Sequence, residues 1–429
     1  MDILRFITCG SVDDGKSTLI GRLLYDSNSV SLDVLATLEK RRATTGGVDL
    51  ALLTDGLKAE REQGITIDVA HKYFTTPRRK FIITDAPGHV QYTRNMVTGA
   101  SNADLAIVLV DARQGVIEQT RRHTLLASLL GIRHFVLAVN KLDLVGYDEA
   151  VFQQIVTDYQ LIAEQLKMAH MVAIPLSALH GDNVVRRSKH IAWYHGPSLL
   201  EHLESVPVPA DANPREPRFQ VQYVIRPQTE ELPDYRGYAG RIQSGTYRTG
   251  DKVRIWPSGL ETVLEAIEVN QQAVASAEAP QGVILRLRDD IDISRGDTIV
   301  PLSAHPAVVR ELEAILCWMD ERPLCAGRKL LVQHHAAMVK ASVTAILQKT
   351  NIETFESQGT DEAKLNDIVR VRLKTALPLV ADDYRQNRAT GAFILVDEQT
   401  GATLAAGLIA ATDPEYFTQE VPIEGAFSI

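Results

Sequence analysis

Three scarcities in this 429-residue chain limit what it can do before any motif is read. Cysteine is the first. Cys9, Cys317 and Cys325 are an odd set without zinc-ligand spacing, which excludes a disulfide scaffold and a zinc module and fits a reducing cytoplasm. Cys9 falls in an apolar run and reads as a small core residue. Positive charge is the second: 45 Lys and Arg face 54 Asp and Glu, for a net charge of −9. A broad nucleic-acid surface needs clustered cations, so no nucleic-acid partner is expected. The one local cluster, Arg186-Arg187-Ser188-Lys189, reads as a solvated loop. The third is the long apolar run. No stretch approaches membrane-spanning length, and the first strand is expected to begin by Ile3 or Leu4, leaving no room for a signal peptide.

What is present is more specific. Gly10-Ser11-Val12-Asp13-Asp14-Gly15-Lys16-Ser17 spells G-x-x-x-x-G-K-S between an apolar run, Leu4–Cys9, and a helical pattern opening at Thr18. Strand, glycine loop, helix is the context in which backbone N–H groups curl around a polyphosphate at a helix N-terminus. Gly10, Ser11, Val12, Asp13, Asp14, Gly15, Lys16, Ser17 and Thr18 are the residues expected around it. Lys16 is expected to reach the β- and γ-phosphates and the Ser17 hydroxyl to hold Mg²⁺.

The base is read further along. Asn140-Lys141-Leu142-Asp143 follows the buried run His134–Val139 and so falls at the carboxyl end of a strand, the ligand edge of an open α/β sheet. A carboxylate at Asp143 accepts hydrogen bonds from N1–H and the exocyclic amine of guanine. Adenine offers neither, and an unpaired buried carboxylate rejects it. Lys141 can lie over the base. A second run, Met171–Leu176, ends in Ser177-Ala178-Leu179, whose N–H groups are candidates for guanine O6. GTP and GDP are the expected ligands.

Between these lie switch parts. Asp85-Ala86-Pro87-Gly88-His89 follows the strand Lys80–Thr84. Asp85 is expected beside Mg²⁺, the Gly88 N–H on the γ-phosphate, and His89 on the attacking water. The other eleven histidines read as solvated or packed side chains. Upstream, Gln63-Gly64-Ile65-Thr66-Ile67 offers Thr66 as a second hydroxyl for Mg²⁺, held only while the γ-phosphate is there. Val12 and Ile65 are apolar residues placed to flank the water.

In this order the motifs are similar to the elongation-factor branch of GTPases. Those factors usually carry histidines where this chain has Ser11 and Asp14, and arginine where it has Gln63, so no arginine finger in cis is assigned. The run Phe6–Gly10 through Gly21-Arg22-Leu23-Leu24-Tyr25-Asp26-Ser27 resembles instead the GTPase subunit of bacterial two-subunit sulfate adenylyltransferase. So do Gln91–Met96, Asp234–Arg241 and Gln386–Leu395, which extend the resemblance over essentially the whole chain. The resemblance implies a separate catalytic ATP-sulfurylase subunit that joins ATP and sulfate into adenosine 5′-phosphosulfate and pyrophosphate. This chain would supply GTP hydrolysis in a heterodimer or higher assembly. The alternative is a translational GTPase delivering aminoacyl-tRNA. Against it stand the GSVDDGKS loop, the acidic balance and the matches beyond residue 234.

The organisation expected is an α/β P-loop GTPase domain with a doubly wound, mostly parallel sheet over residues 1–205, followed by two small antiparallel β-barrels. Leu32–Arg41 reads as a helix in an extended first switch and as a candidate partner surface. The proline-rich stretch 206–217 reads as a linker. From Phe219 onward alternation replaces helical periodicity, giving barrels at 218–305 and 306–429. Gly245 and Gly250 have phosphate-loop spacing, but Asp251 stands where the lysine belongs, so a turn is expected. His334 and His335 suggest a metal, yet neighbours on a strand point to opposite faces. No repeat and no second phosphate loop is found, so a fused adenylylsulfate kinase is not expected in this stretch.

Overall fold

The computed structural model describes residues 2–30, 50–53, 68–89, 93–207, 216–227, 230 and 235–411. Thr66 with its Gln63–Ile67 segment, the Leu32–Arg41 stretch, Gln91, Tyr92, Asp234 and most of the linker lie outside the described residues. The chain divides into two compact units, an N-terminal α/β unit and a C-terminal all-β unit. Among the described residues no helix is long and apolar enough to cross a membrane.

The first unit is built on a six-stranded sheet. Its strands are β1 (Ile3–Cys9), β2 (Ala70–Thr75), β3 (Lys80–Asp85), β4 (Leu105–Asp111), β5 (His134–Asn140) and β6 (His170–Pro175), in the order β2-β3-β1-β4-β5-β6. All neighbours are parallel except the β2–β3 hairpin at one edge. Strands covered on both faces must be apolar throughout, and Leu105–Asp111 is buried at all seven positions. The helices between them are α1 (Lys16–Asp26), α2 (Thr93–Ala100), α3 (Glu118–Leu129), α4 (Glu149–Gln165) and α5 (Leu199–Ser205). β1 has β3 on one side and β4 on the other, so the strand order reverses there. The crevice at its carboxyl end is the switch point where doubly wound sheets bind ligands.

The second unit holds two closed antiparallel rings. The first runs Lys252–Trp256, Thr298–Pro301, Arg218–Gln220, Gly237–Ser244, Gly282–Leu287 and Glu261–Val269, which pairs back onto the start. Phe219 and Tyr247 meet edge to face in its core at 6.2 Å. The second runs Lys329–His334, Ala392–Val396, Thr403–Ala411, Ala307–Trp318, Ile368–Ala381 and Ala337–Thr350, and closes likewise around fully buried Trp318. Gly250 turns between strands at φ 94°, with Asp251 accepting the Arg248 N–H at 2.7 Å.

A buried polar seam ties the two rings. Arg218 forks onto Asp382 at 3.0 and 3.2 Å and also reaches Glu216 at 3.1 Å. Asp382 accepts from Thr390, and Asn387 donates to Ser244 at 3.2 Å. The Gln386–Leu395 signature therefore lies at this seam.

The strand expected through His335 stops at His334, and His335 sits at φ 53° in the tight turn to Ala337. The two rings are not on opposite faces but stand edge to face at 4.7 Å. His334 turns Nε2 to the Thr390 carbonyl at 2.7 Å, and burial pushes both imidazoles below their ordinary pKa. Among the described residues no metal-ligand cluster forms there or elsewhere.

Candidate functional site

The phosphate loop leaves β1 at Gly10 (φ 152°), passes Asp13 and Gly15 at φ 67° and 93°, and enters α1 at Lys16. Lys16 is buried, and its ammonium donates to the carbonyls of Gly10 at 3.1 Å and Ser11 at 2.6 Å. Burial lowers its pKa, while Asp85 and Asp14 act in the opposite direction. Asp14 is buried too, and its carboxylate accepts the Ser11 N–H at 2.5 Å. Burial raises the Asp14 pKa against that bond. The two positions where the elongation-factor pattern has histidines are thus coupled to each other here. Ser17 and Thr18 stand half-buried in the first turn of α1, Ser11 and Val12 half-buried in the loop, and Asp13 exposed.

Asp85 closes β3 directly opposite Thr8 of β1, whose hydroxyl donates to it at 3.3 Å. The chain then brings Gly88 hard against the loop. A Cβ on Gly88 would overlap the Lys16 ammonium and the Gly10 carbonyl, so only glycine fits that approach. His89, next along, is exposed.

On the base side, Asn140 ends β5 and is buried. Its amide nitrogen donates to the Asp14 carbonyl at 2.7 Å, and its oxygen accepts the Ala178 N–H at 2.9 Å. Asn140 therefore braces the phosphate loop against the Ser177–Leu179 loop. Lys141 (φ 59°) places its ammonium 3.0 Å from Asp111 at the end of β4. Asp143 lies half-buried in the 3-10 turn Leu142–Val145, with the His180 ring 3.7 Å away. Ser177 and Ala178 are buried and Leu179 is exposed. The Ser177 N–H goes to Asp182 O at 3.2 Å and that of Ala178 to Asn140, so the two donate into the protein.

Sequence reasoning missed three residues here, His123, Gln119 and Asp111. His123 of α3 lies under the loop and accepts the Gly10 N–H on Nδ1 at 3.1 Å. Its proton is then on Nε2, which requires the Gln119 amide 2.8 Å away to present its oxygen as the acceptor. Burial, with Lys16 adding repulsion, lowers its pKa to about 3, so it is neutral. Asp111 is the third. Burial raises its pKa, but bonds from Arg113 at 2.6 Å and from Lys141 hold it below the ordinary carboxylate range. Only the helical periodicity of α3 marks His123 as inward-facing, and nothing local pairs it with Gly10. Cys9, beneath the same loop, has its thiol pushed up to about 12 by burial and is inert packing.

Hard oxygen donors (the Ser17 hydroxyl and the Asp85 carboxylate), a buried ammonium and a glycine-lined loop at a helix N-terminus suit a magnesium-bound polyphosphate. Residues 1–267 match the family described as Elongation factor Tu GTP binding domain. Residues 238–300 match Elongation factor Tu domain 2, and 311–410 the GTP-eEF1A C-terminal domain-like family. A protein named Sulfate adenylyltransferase subunit 1 from Laribacter hongkongensis is 51% identical over 96% of this chain and 86% of its own. The Bifunctional enzyme CysN/CysC of Mycobacterium tuberculosis is 53% identical over 95% of this chain, which spans 67% of that longer protein. A crystal structure of sup35 complexed with GDP aligns over 96% of this chain and 94% of that one, at 22% identity and a TM-score of 0.44. With its nucleotide-binding motifs gathered on one edge of the sheet and about half its residues shared with those relatives, the chain belongs to the elongation factor Tu-like GTPases, in the sulfate adenylyltransferase subunit 1 family.

Proposed function

We propose that this chain is the GTP-hydrolysing subunit of a sulfate adenylyltransferase, working in the cytoplasm on a separate catalytic subunit. The observation that carries the reading is the bracing of the phosphate loop to the base loop by Asn140, in a chain 51% identical to a named subunit 1. Residues 1–205 would form the nucleotide domain, joined by 206–217 to barrels at 218–305 and 306–429.

Lys16, already desolvated, grips the β- and γ-phosphates by exchanging carbonyl partners for phosphate oxygens. Ser17 and Thr66 would hold Mg²⁺ through their hydroxyls, with Asp85 beside it through water, and the ion would neutralise phosphate charge when bound. The Gly88 N–H meets the γ-phosphate, and His89 orients the attacking water between Val12 and Ile65. Asp143 accepts the two guanine donors. With Ser177 and Ala178 donating elsewhere, the Leu179 N–H is the donor assigned to guanine O6.

Forming the phosphoric–sulfuric anhydride of adenosine 5′-phosphosulfate from ATP and sulfate is steeply uphill, so a second nucleotide hydrolysis gives the partner a driving force. Coupling requires the GTP and GDP states to bind that partner differently. The test is co-purification with a catalytic subunit, followed by adenylylsulfate synthesis with and without GTP. Stimulation by GTP with matching GDP release is expected; an unchanged rate without GTP refutes the reading. His89→Ala is expected to slow GTP turnover about 10²–10⁴-fold while leaving GTP affinity unchanged. Loss of affinity together with rate would remove His89 from the water-orienting role.

A further inference from the structure

The Gly21–Ser27 run that carries the family resemblance has no part in the mechanism above, yet its arginine reaches the Ser177–Leu179 loop. Arg22 lies on α1, between one and two turns past Lys16, with its side chain mostly buried. Its Nε donates to the Ala178 carbonyl at 3.2 Å, and one terminal nitrogen donates to the Leu179 carbonyl. The other terminal nitrogen contacts Asp26 one turn along at 3.4 Å, which holds the guanidinium plane in place. The helix that begins at the phosphates thus holds two consecutive carbonyls of the base loop.

A peptide group is planar and trans, so its carbonyl and the following N–H point in opposite directions. Fixing the Ala178 carbonyl toward α1 fixes the Leu179 N–H away from it. The preceding peptide is fixed as well, because the Ala178 N–H is bound by Asn140 at 2.9 Å. The following one is fixed by the second arginine contact. Three successive peptide planes are therefore set by two side chains, and the N–H between the two arginine-held carbonyls is the one assigned to guanine O6.

We propose that Arg22 is a positioning residue for guanine recognition, aiming the Leu179 N–H at O6 of the base. This rests on the guanine-nucleotide reading above. The fork of a guanidinium suits the task because two parallel donors fix orientation as well as distance, which a single ammonium does not.

The test measures calorimetric affinity of the full chain for GDP and for 2-aminopurine riboside 5′-diphosphate, which keeps the 2-amine and lacks O6 and the N1 hydrogen; each variant is compared with the unsubstituted chain on the same ligand, so the lost Asp143 bond cancels. Arg22→Ala is expected to weaken GDP about tenfold, the worth of one aligned hydrogen bond, and the analogue by less than about twofold. Arg22→Lys, which keeps one donor, is expected to recover part of the GDP loss. Arg22→Met keeps the apolar stem and removes the donors, and it replaces the alanine variant should that one not fold. Equal losses on both ligands mean a merely structural role, and no loss on either means none; each result overturns the proposal. Failure of the guanine reading itself looks different, because the unsubstituted chain would then bind ADP as tightly as GDP.

Discussion

Lys16 and Arg218 are both cations taken out of water, and they are held in opposite ways. Lys16 bonds to two backbone carbonyls, and among the described residues no carboxylate stands within ion-pair distance of it. Arg218 grips Asp382 with two nitrogens and Glu216 with a third contact. A neutral carbonyl is a weak partner for an ammonium, so in the proposed role of Lys16 an arriving phosphate would win the exchange easily. A carboxylate fork is a partner that no solute displaces. Burial alone therefore does not mark a functional charge. The kind of partner does.

Lys16→Met is expected to cost GTP binding about 3–6 kcal/mol, two charge-assisted bonds' worth, with little change in thermal stability. Calorimetric titration beside a melting curve checks both halves, and a large stability loss would mean that the lysine is structural after all. Arg218→Ala is expected to do the reverse. It leaves Asp382 buried without its cation and lowers unfolding stability by about 3–5 kcal/mol in denaturant titration, with GTP affinity unchanged. An apolar pair of similar volume at 218 and 382 is expected to restore most of that loss.

A third buried group near the loop, the imidazole of His123, avoids charge altogether. His123 has its folded pKa lowered to about 3, against about 6.5 when unfolded, so the unfolded chain binds the extra proton first. Its contribution is complete above pH 6.5 and is lost as pH falls toward 3. The loss amounts to about 2 kcal/mol between pH 7 and pH 5. His123→Gln is expected to flatten that part of the stability–pH curve; an unchanged slope would place the acid sensitivity elsewhere.

Much of this was legible in the sequence because the motifs are local. A phosphate loop, an N-K-x-D and a D-x-x-G each put their residues at a strand end by chain connectivity alone, and the strands themselves announce their burial. The two barrels were legible from alternation and glycine turns, since a closed ring needs only strands of matching period. What stayed hidden is long-range and sidewise. Arg22 meets Ala178 across 156 residues and His123 meets Gly10 across 113, and no periodicity predicts such pairs. The same holds for Asn140. Its type is right for a base site, but both ends of its amide are committed to the protein, which only the packed structure reveals. The Arg218 seam joins residues 164 apart and was readable only as an unexplained likeness near the end of the chain.

The glycine at 88 carries one last implication. Where most relays pass through side chains that can swivel, here the main chain at Gly88 abuts the main chain of Gly10 and Ser11, with no room for even a methyl group between. A joint of that kind has almost no slack. Movements of a few tenths of an ångström in the Gly10–Ser11 backbone press directly on the DAPGH segment, main chain against main chain.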